Sequence, residues 1–66
     1  MKNTLKVERA KKNWTQEDLA GKIGISRQSV NSIETGKFTP STILALKIAK
    51  VFGTTVETVF QLEKHD

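Results

Sequence analysis

The sequence contains no cysteine and no tyrosine, and it has one histidine, one tryptophan and one proline. Without cysteine, neither disulfides nor thiolate ligands can supplement a small core. The single histidine, His65, is the only imidazole base, so no Ser/His/Asp arrangement is plausible. We therefore expect a protein that is not an enzyme and that has no metal site and no cofactor.

Long apolar runs are also missing from the chain. No stretch approaches the ~20 apolar residues that a membrane-spanning helix requires. The charged start, MKNTLKVERAKK, lacks the continuous apolar segment of a signal peptide. These absences predict a cytoplasmic protein that does not act in a membrane. With 66 residues there is room for one domain, residues 1–66, and a core of that size stabilises a fold only marginally.

Positive charge, in contrast, is abundant and unevenly placed. The net charge is +4, and the first 12 residues hold five basic side chains against one acidic side chain. Residues 22–50 carry five further lysine or arginine residues and a single glutamate. This excess favours a polyanion such as nucleic acid as the partner, but a solubilising surface has the same composition. Charge alone leaves both interpretations open.

The most informative stretch is residues 16–33, QEDLAGKIGISRQSVNSI. Apolar residues recur in it at spacings of four and three, which places each pair on one helical face: Leu19 with Ile23, and Val30 with Ile33. Gly24, between the pairs, suits the left-handed residue that ends a helix. The pattern predicts two short helices joined by a tight turn, with their apolar faces inward.

Local signals predict where the other elements begin and end. We expect a first helix over residues 5–12, a capping box from Thr15 to Asp18, and an N-cap at Ser26 before a helix that runs to Thr35. Thr39 followed by Pro40 predicts the start of a fourth helix over residues 41–52, with Ile43 on its apolar face. A last short helix should cover residues 56–60, and residues 2–4 and 61–64 are candidates for a two-stranded ribbon. The expected fold is an all-α, compact five-helix bundle.

Two aromatic residues have competing interpretations. Trp14 occupies a staple position beside the Thr15 cap, which favours packing on the second helix over stacking on bases. Phe38 follows the third helix in the loop GKFTP, and we expect it to fill the core rather than to serve as a stacking platform.

The run TQEDLAGKIGISRQSVNSIETGK resembles the helix-turn-helix of the Cro/C1-type repressors, and the resemblance extends from about residue 5 to about residue 62. It implies a lambda-repressor-like domain that binds double-stranded DNA sequence-specifically. It also implies a homodimeric repressor that acts on a palindromic operator. Two alternatives stay open: the antitoxin of a toxin–antitoxin pair, and a helix-turn-helix module used for protein contacts.

The polar residues of the motif are the candidate DNA contacts. The outward face of the third helix carries donors and acceptors of the kind that read base edges, although a plain solvated face has similar residues: Arg27, Gln28, Asn31 and Ser32. Contacts to the DNA backbone are expected from residues at helix starts and from exposed cations: Gln16, Ser26, Ser29, Lys37, Lys11 and Lys12. The resemblance further implies that Gln16 braces the first glutamine-type reader of the third helix.

Two further predictions concern structure rather than DNA. The resemblance implies a tethering ion pair between Arg9 and Glu34, which we favour over a direct contact of Arg9 with DNA. The end of the chain is more apolar than a terminal turn requires, which indicates a dimer interface, although packing on the fourth helix explains part of it: Val56, Val59, Phe60 and Leu62.

Overall fold

Five α-helices and one antiparallel ribbon make up the fold, and the computed structural model describes all 66 residues. The helices are α1 (Leu5–Lys12), α2 (Gln16–Ile23), α3 (Arg27–Glu34), α4 (Thr42–Phe52) and α5 (Val56–Val59). The strands are β1 (Lys2–Asn3) and β2 (Phe60–Gln61), with Lys2 opposite Gln61 and Asn3 opposite Phe60. The predicted bundle and its terminal ribbon are confirmed, and the strands of the ribbon are shorter than expected. No helix has the length and apolar character that crossing a bilayer demands.

Side-chain caps fix the start of α2. The Thr15 hydroxyl accepts a hydrogen bond from the Asp18 backbone N–H at 3.0 Å, and the Asp18 carboxylate accepts one from the Thr15 N–H at 2.9 Å. These two bonds form the predicted capping box. The pKa of Asp18 is lowered because the backbone N–H of Thr15, and after it the Thr15 hydroxyl, stabilises the ionised carboxylate. At its other end α2 stops at Gly24, whose φ of +75° is a conformation that a residue with a Cβ rarely adopts.

The start of α4 differs from the sequence prediction. Ser41, and not Thr39, is the N-cap, and its hydroxyl accepts a hydrogen bond from the Leu44 N–H at 3.2 Å. Pro40 therefore belongs to the preceding loop. The helix turns the face that carries Ile48 and Phe52 toward the other helices. The Ile43 side chain is therefore 68% exposed and does not lie in the core as predicted.

Smaller differences occur at two helix ends. α3 ends at Glu34, one residue before the predicted end, and Thr35 caps it while still in a helical conformation. α5 ends at Val59 because Phe60 is extended and enters β2, which pairs with β1. Thr4, beside β1, donates its N–H to the Val59 carbonyl at 2.8 Å. The terminal ribbon thus ends α5 early.

The core lies where the inner faces of the five helices meet, and the ribbon closes one side of it. Its buried members come from every helix and from β2: Leu5, Leu19, Ala20, Ile23, Val30, Ile33, Ile48, Phe52, Val59 and Phe60. Trp14 packs at the edge of this cluster, with its ring stacked on Phe52 at 5.6 Å between centroids and with the Lys22 ammonium 4.6 Å from its centre. Asn3 of the ribbon donates its amide to the Ile33 carbonyl at 2.9 Å. This bond ties the ribbon to the last turn of α3.

Candidate nucleic-acid interface

α3 presents a polar outer surface because its apolar side chains are turned into the core. Val30 and Ile33 are almost completely buried. The four predicted base-contacting residues lie on the part of the helix that faces away from the core, the first three exposed and the last half-buried: Arg27, Gln28, Asn31 and Ser32. The structure therefore brings these residues together on one accessible surface.

Two hydroxyls mark the start of α3. Ser26 caps the helix by accepting a hydrogen bond from the Ser29 N–H at 3.0 Å. The two hydroxyl oxygens also lie 2.9 Å apart and share one hydrogen bond. One of the two hydroxyl hydrogens remains unused, and it can be offered to an anion at this end of the helix.

Gln16, the first residue of α2, bridges to α3. Its side-chain amide donates to the Asn31 side-chain oxygen, Oδ1, at 3.1 Å and lies 3.4 Å from the Glu34 carboxylate. The brace that the resemblance implied on the first glutamine-type reader, Gln28, is therefore made on Asn31 instead. The reason is that Glu34 draws the Gln16 amide toward the C-terminal end of α3. The backbone N–H of Gln16 still lies in the first turn of α2, where N–H groups have no helical partner.

Basic side chains precede and follow the two helices. Lys37 lies in the loop after α3, where its backbone N–H bonds to the Ser32 carbonyl at 2.9 Å and its side chain is exposed. Lys11 contacts the Glu8 carboxylate at 3.1 Å, and this pair reduces its availability. Lys12 and Arg27 take part in no ion pair, and neither does Lys37. These three cations are free for an anionic partner.

Arg9 and Glu34 form a nearly buried ion pair between α1 and α3. The guanidinium donates from Nε and Nη2 to the two carboxylate oxygens, at 2.5 and 3.0 Å, and from Nη1 to the Trp14 carbonyl at 2.8 Å. The side chains are 14% and 7% exposed. The hydrogen bonds to Glu34 raise the pKa of Arg9 above its usual value, against the opposing effect of burial. The pair fixes the C-terminal turn of α3 to the first helix.

The carboxylates of the chain are dispersed among structural roles. Glu34 binds Arg9, Glu8 binds Lys11, and Asp18 caps α2. No three histidine, aspartate or glutamate side chains lie close enough together to hold a metal ion. The chemistry available around α3 is therefore hydrogen bonding and positive charge.

Phe38 is a member of this surface that the sequence prediction placed wrongly. Its side chain is 51% exposed and not in the core. The backbone N–H of Phe38 bonds to the Ser32 carbonyl at 3.1 Å, which folds the loop back over the end of α3. The ring then borders a shallow depression with Gln28 and Ser32, among the predicted base-contacting residues. The exposed position of the Phe38 ring depends on the path of this loop, which the sequence pattern does not indicate.

The predicted dimer residues separate into two groups. Val59 and Phe60 are buried in the core of the protomer, because β2 pairs with β1 and folds Phe60 inward, so they are not available to a second subunit. Val56 is half-buried and Leu62 is 79% exposed. Two apolar side chains of α4 that the sequence prediction did not assign to the interface, Ile43 and Leu46, are also exposed. Leu46 and Val56 line an apolar groove together with residues of the ribbon and of the loop before α4: Met1, Pro40 and Phe60.

Comparison with known families decides the identity of this arrangement. A family model described as helix-turn-helix matches residues 5–59, from the start of α1 to the end of α5. The chain belongs to the Cro/C1-type helix-turn-helix family. In this family motif α2 and α3 are the two helices of the helix-turn-helix, and α3 is the recognition helix.

Relatives of the same length support this membership. An HTH-type transcriptional regulator of Methanocaldococcus jannaschii is 57% identical over 63 residues, which cover 96% of each chain. The HTH-type transcriptional regulator YgzD of Bacillus subtilis is 46% identical over 66 residues and matches over the full length of both chains. The Cro/C1-type family is one of DNA-binding transcriptional regulators, and this function applies to the chain at that level of detail.

Solved structures show the same fold inside longer proteins. The hypothetical transcription factor NHTF from Neisseria aligns with a TM-score of 0.75 and 26% identity, over 82% of this chain and 62% of that one. The clp gene regulator ClgR from Corynebacterium glutamicum aligns with a TM-score of 0.74 and 27% identity, over 79% of this chain and 55% of that one. This chain thus matches slightly more than half of each longer protein.

Proposed function

We propose that this Cro/C1-type regulator is a cytoplasmic repressor that binds a palindromic operator in double-stranded DNA as a homodimer. The observation that carries the proposal is the exposed polar face of α3, anchored from behind by buried Val30 and Ile33. Repression would be steric, since an occupied operator excludes other proteins from the same DNA.

Base recognition is assigned to the N-terminal part of α3. Arg27 and Gln28 lie in its first turn, which enters the major groove in this class of motif. An arginine can bind guanine with two hydrogen bonds and a glutamine can do the same with adenine, and each such pair discriminates by ~1–3 kcal/mol. Asn31 and Ser32 follow one turn later on the same surface and extend the contacted sequence.

Affinity that does not depend on sequence is assigned to the residues around α3. Lys37 and Lys12 are unpaired cations, and Lys11 can exchange its contact with Glu8 for a phosphate. Hydrogen bonds to phosphate are assigned to the starts of α2 and α3, from the backbone N–H of Gln16 and the hydroxyls of Ser26 and Ser29. Each phosphate neutralised by a cation lowers the slope of log K against log salt by about 0.9.

The dimensions of the protomer support the assignment of a dimer. Its longest extent is 31 Å, whereas two successive major grooves on one side of the duplex lie ~34 Å apart. A single protomer therefore cannot place a helix in both. The surface assigned to the second protomer combines exposed Ile43, Leu46 and Leu62 with half-buried Val56. Ile43 and Leu46 belong to residues 38–46, a stretch without any charged side chain in a chain that is 27% charged.

Selection of bound duplexes from a random pool tests the proposal. We expect a two-fold symmetric sequence whose half-sites are about one helical turn apart. Gel-shift titrations at several salt concentrations then compare Gln28→Ala with Lys37→Ala. Gln28→Ala should weaken the selected site and leave nonspecific binding unchanged, while Lys37→Ala should weaken both and reduce the salt slope. A wild-type protein that retains no preferred sequence would contradict the proposal.

A further inference from the structure

A continuous line of hydrogen bonds runs from the core edge to the DNA-facing surface. Arg9 donates to the Glu34 carboxylate. The Gln16 amide nitrogen lies 3.4 Å from the same carboxylate and 3.1 Å from the Asn31 side-chain oxygen, Oδ1. The line crosses three helices, α1, α3 and α2, and it ends on Asn31, a side chain that the proposed function assigns to base contact.

The direction of every bond in this line is set by Glu34. An ionised carboxylate only accepts hydrogen bonds, so the Gln16 atom that faces it must be the amide nitrogen. That nitrogen carries two hydrogens, and the second one points to Asn31. Asn31 must therefore present its oxygen to Gln16. Its own amide nitrogen is left on the exposed side of α3.

We propose that Asn31 contacts DNA through its amide nitrogen alone and therefore selects guanine. It does not form the pair of hydrogen bonds with adenine that an asparagine usually forms. The inference rests on the proposed function. Adenine offers an acceptor beside a donor in the major groove, and an asparagine binds both only when its oxygen and its nitrogen both face the base edge. The Asn31 oxygen is turned toward Gln16, so the outward side of Asn31 offers no acceptor to an adenine N6 amine. Guanine offers two adjacent acceptors, N7 and O6, to the outward amide nitrogen.

The test compares selected operator sequences for the wild type and two sets of variants. Asn31→Ala identifies the contacted base pair, because the preference at that pair alone should disappear. In the wild type this pair should carry guanine, preferred over adenine by about 5- to 150-fold. Adenine at this pair would overturn the inference, and so would an Asn31→Ala variant that loses affinity equally for all sequences.

Variants of Gln16 test the cause of the preference. Gln16→Met removes the donor at similar length, which frees the Asn31 oxygen, so the preference should shift toward adenine. Gln16→Lys retains a donor to both Glu34 and Asn31 and should keep guanine. Glu17→Gln, a change at the exposed neighbouring residue, serves as the matched control and should leave the selected sequence as in the wild type. An unaltered guanine preference in Gln16→Met would overturn the inference.

The two proposals fail in different ways. If the wild-type protein selects no sequence at all, both are overturned. If it selects a symmetric operator with adenine at the pair that depends on Asn31, only the inference about Asn31 is overturned. Thermal unfolding of each variant without DNA establishes that a changed preference comes from folded protein.

Discussion

Removal of Glu34 should destabilise the fold far more than removal of any nearby exposed charge. The carboxylate is 7% exposed and accepts two hydrogen bonds from Arg9, whose side chain is 14% exposed. In Glu34→Ala the guanidinium loses both acceptors and retains only the Trp14 carbonyl. Stranding one partner of a buried pair costs about 3–5 kcal/mol. Because water still reaches the edge of this pair, we expect a cost near the lower limit, about 3 kcal/mol.

That cost is large for a protein of 66 residues, whose total stability is about 3–10 kcal/mol. For a domain of this size each 1 kcal/mol lowers the melting temperature by about 4–8 °C, so Glu34→Ala should melt about 12–24 °C below the wild type. The control is Lys37→Ala, which removes an exposed side chain with no ion pair and should change stability by less than about 0.5 kcal/mol.

Thermal unfolding followed by circular dichroism measures both variants, at one protein concentration because subunit association also shifts the melting temperature. A double variant, Arg9→Leu with Glu34→Leu, should be more stable than Glu34→Ala alone, since it leaves no buried charge without a partner. Equal melting temperatures for Glu34→Ala and Lys37→Ala would refute the reasoning.

Three further predictions follow from individual contacts. The pKa of Asp18 is lowered in the folded state, so its stabilisation is present above its ordinary pKa of 3.8 and is lost as the pH falls through the folded value. Urea unfolding should therefore show Asp18→Asn to be less stable than the wild type at pH 7 and equally stable at the acid limit. Val59→Ala should cost about 2 kcal/mol in the same assay because Val59 is fully buried, whereas exposed Leu62→Ala should cost less than about 0.5 kcal/mol. Leu46→Glu should leave the fold intact but produce monomers in analytical ultracentrifugation, and a dimer of unchanged stability would remove this surface from the interface.

The elements that the sequence predicts well are those whose causes are local. The capping box of Thr15 and Asp18 lies within four residues, and so does the cap of α3 by Ser26. Gly24 and the three- or four-residue spacing of apolar side chains define the turn and the inner faces. For these reasons α1 and α2 have the predicted bounds, and the polar face of α3 is where the pattern indicates.

The errors have causes that no local pattern contains. Two starts for α4 are compatible with the local sequence: an N-cap at Thr39 followed by Pro40, or an N-cap at Ser41. Packing of the helix on the core selects Ser41. By its local sequence Phe60 continues α5, and its inward position depends on pairing with Asn3, which is 60 − 3 = 57 positions earlier in the chain. The placement of Phe38 depends in the same way on how a loop crosses the end of α3.

Glu34 links the stability of the fold to the presentation of the reading surface. One of its oxygens accepts from Arg9 and lies within reach of Gln16, while the other is held by Arg9 alone. The charge that tethers α1 to α3 therefore also sets the orientation of the Gln16 amide and, through it, of Asn31. A change at Glu34 consequently alters folding and base preference together, whereas a change at Gln16 leaves the tether in place. Variants of Gln16 can therefore test how the orientation of the amide affects base recognition without loss of stability. Variants of Glu34 cannot, because they change both properties.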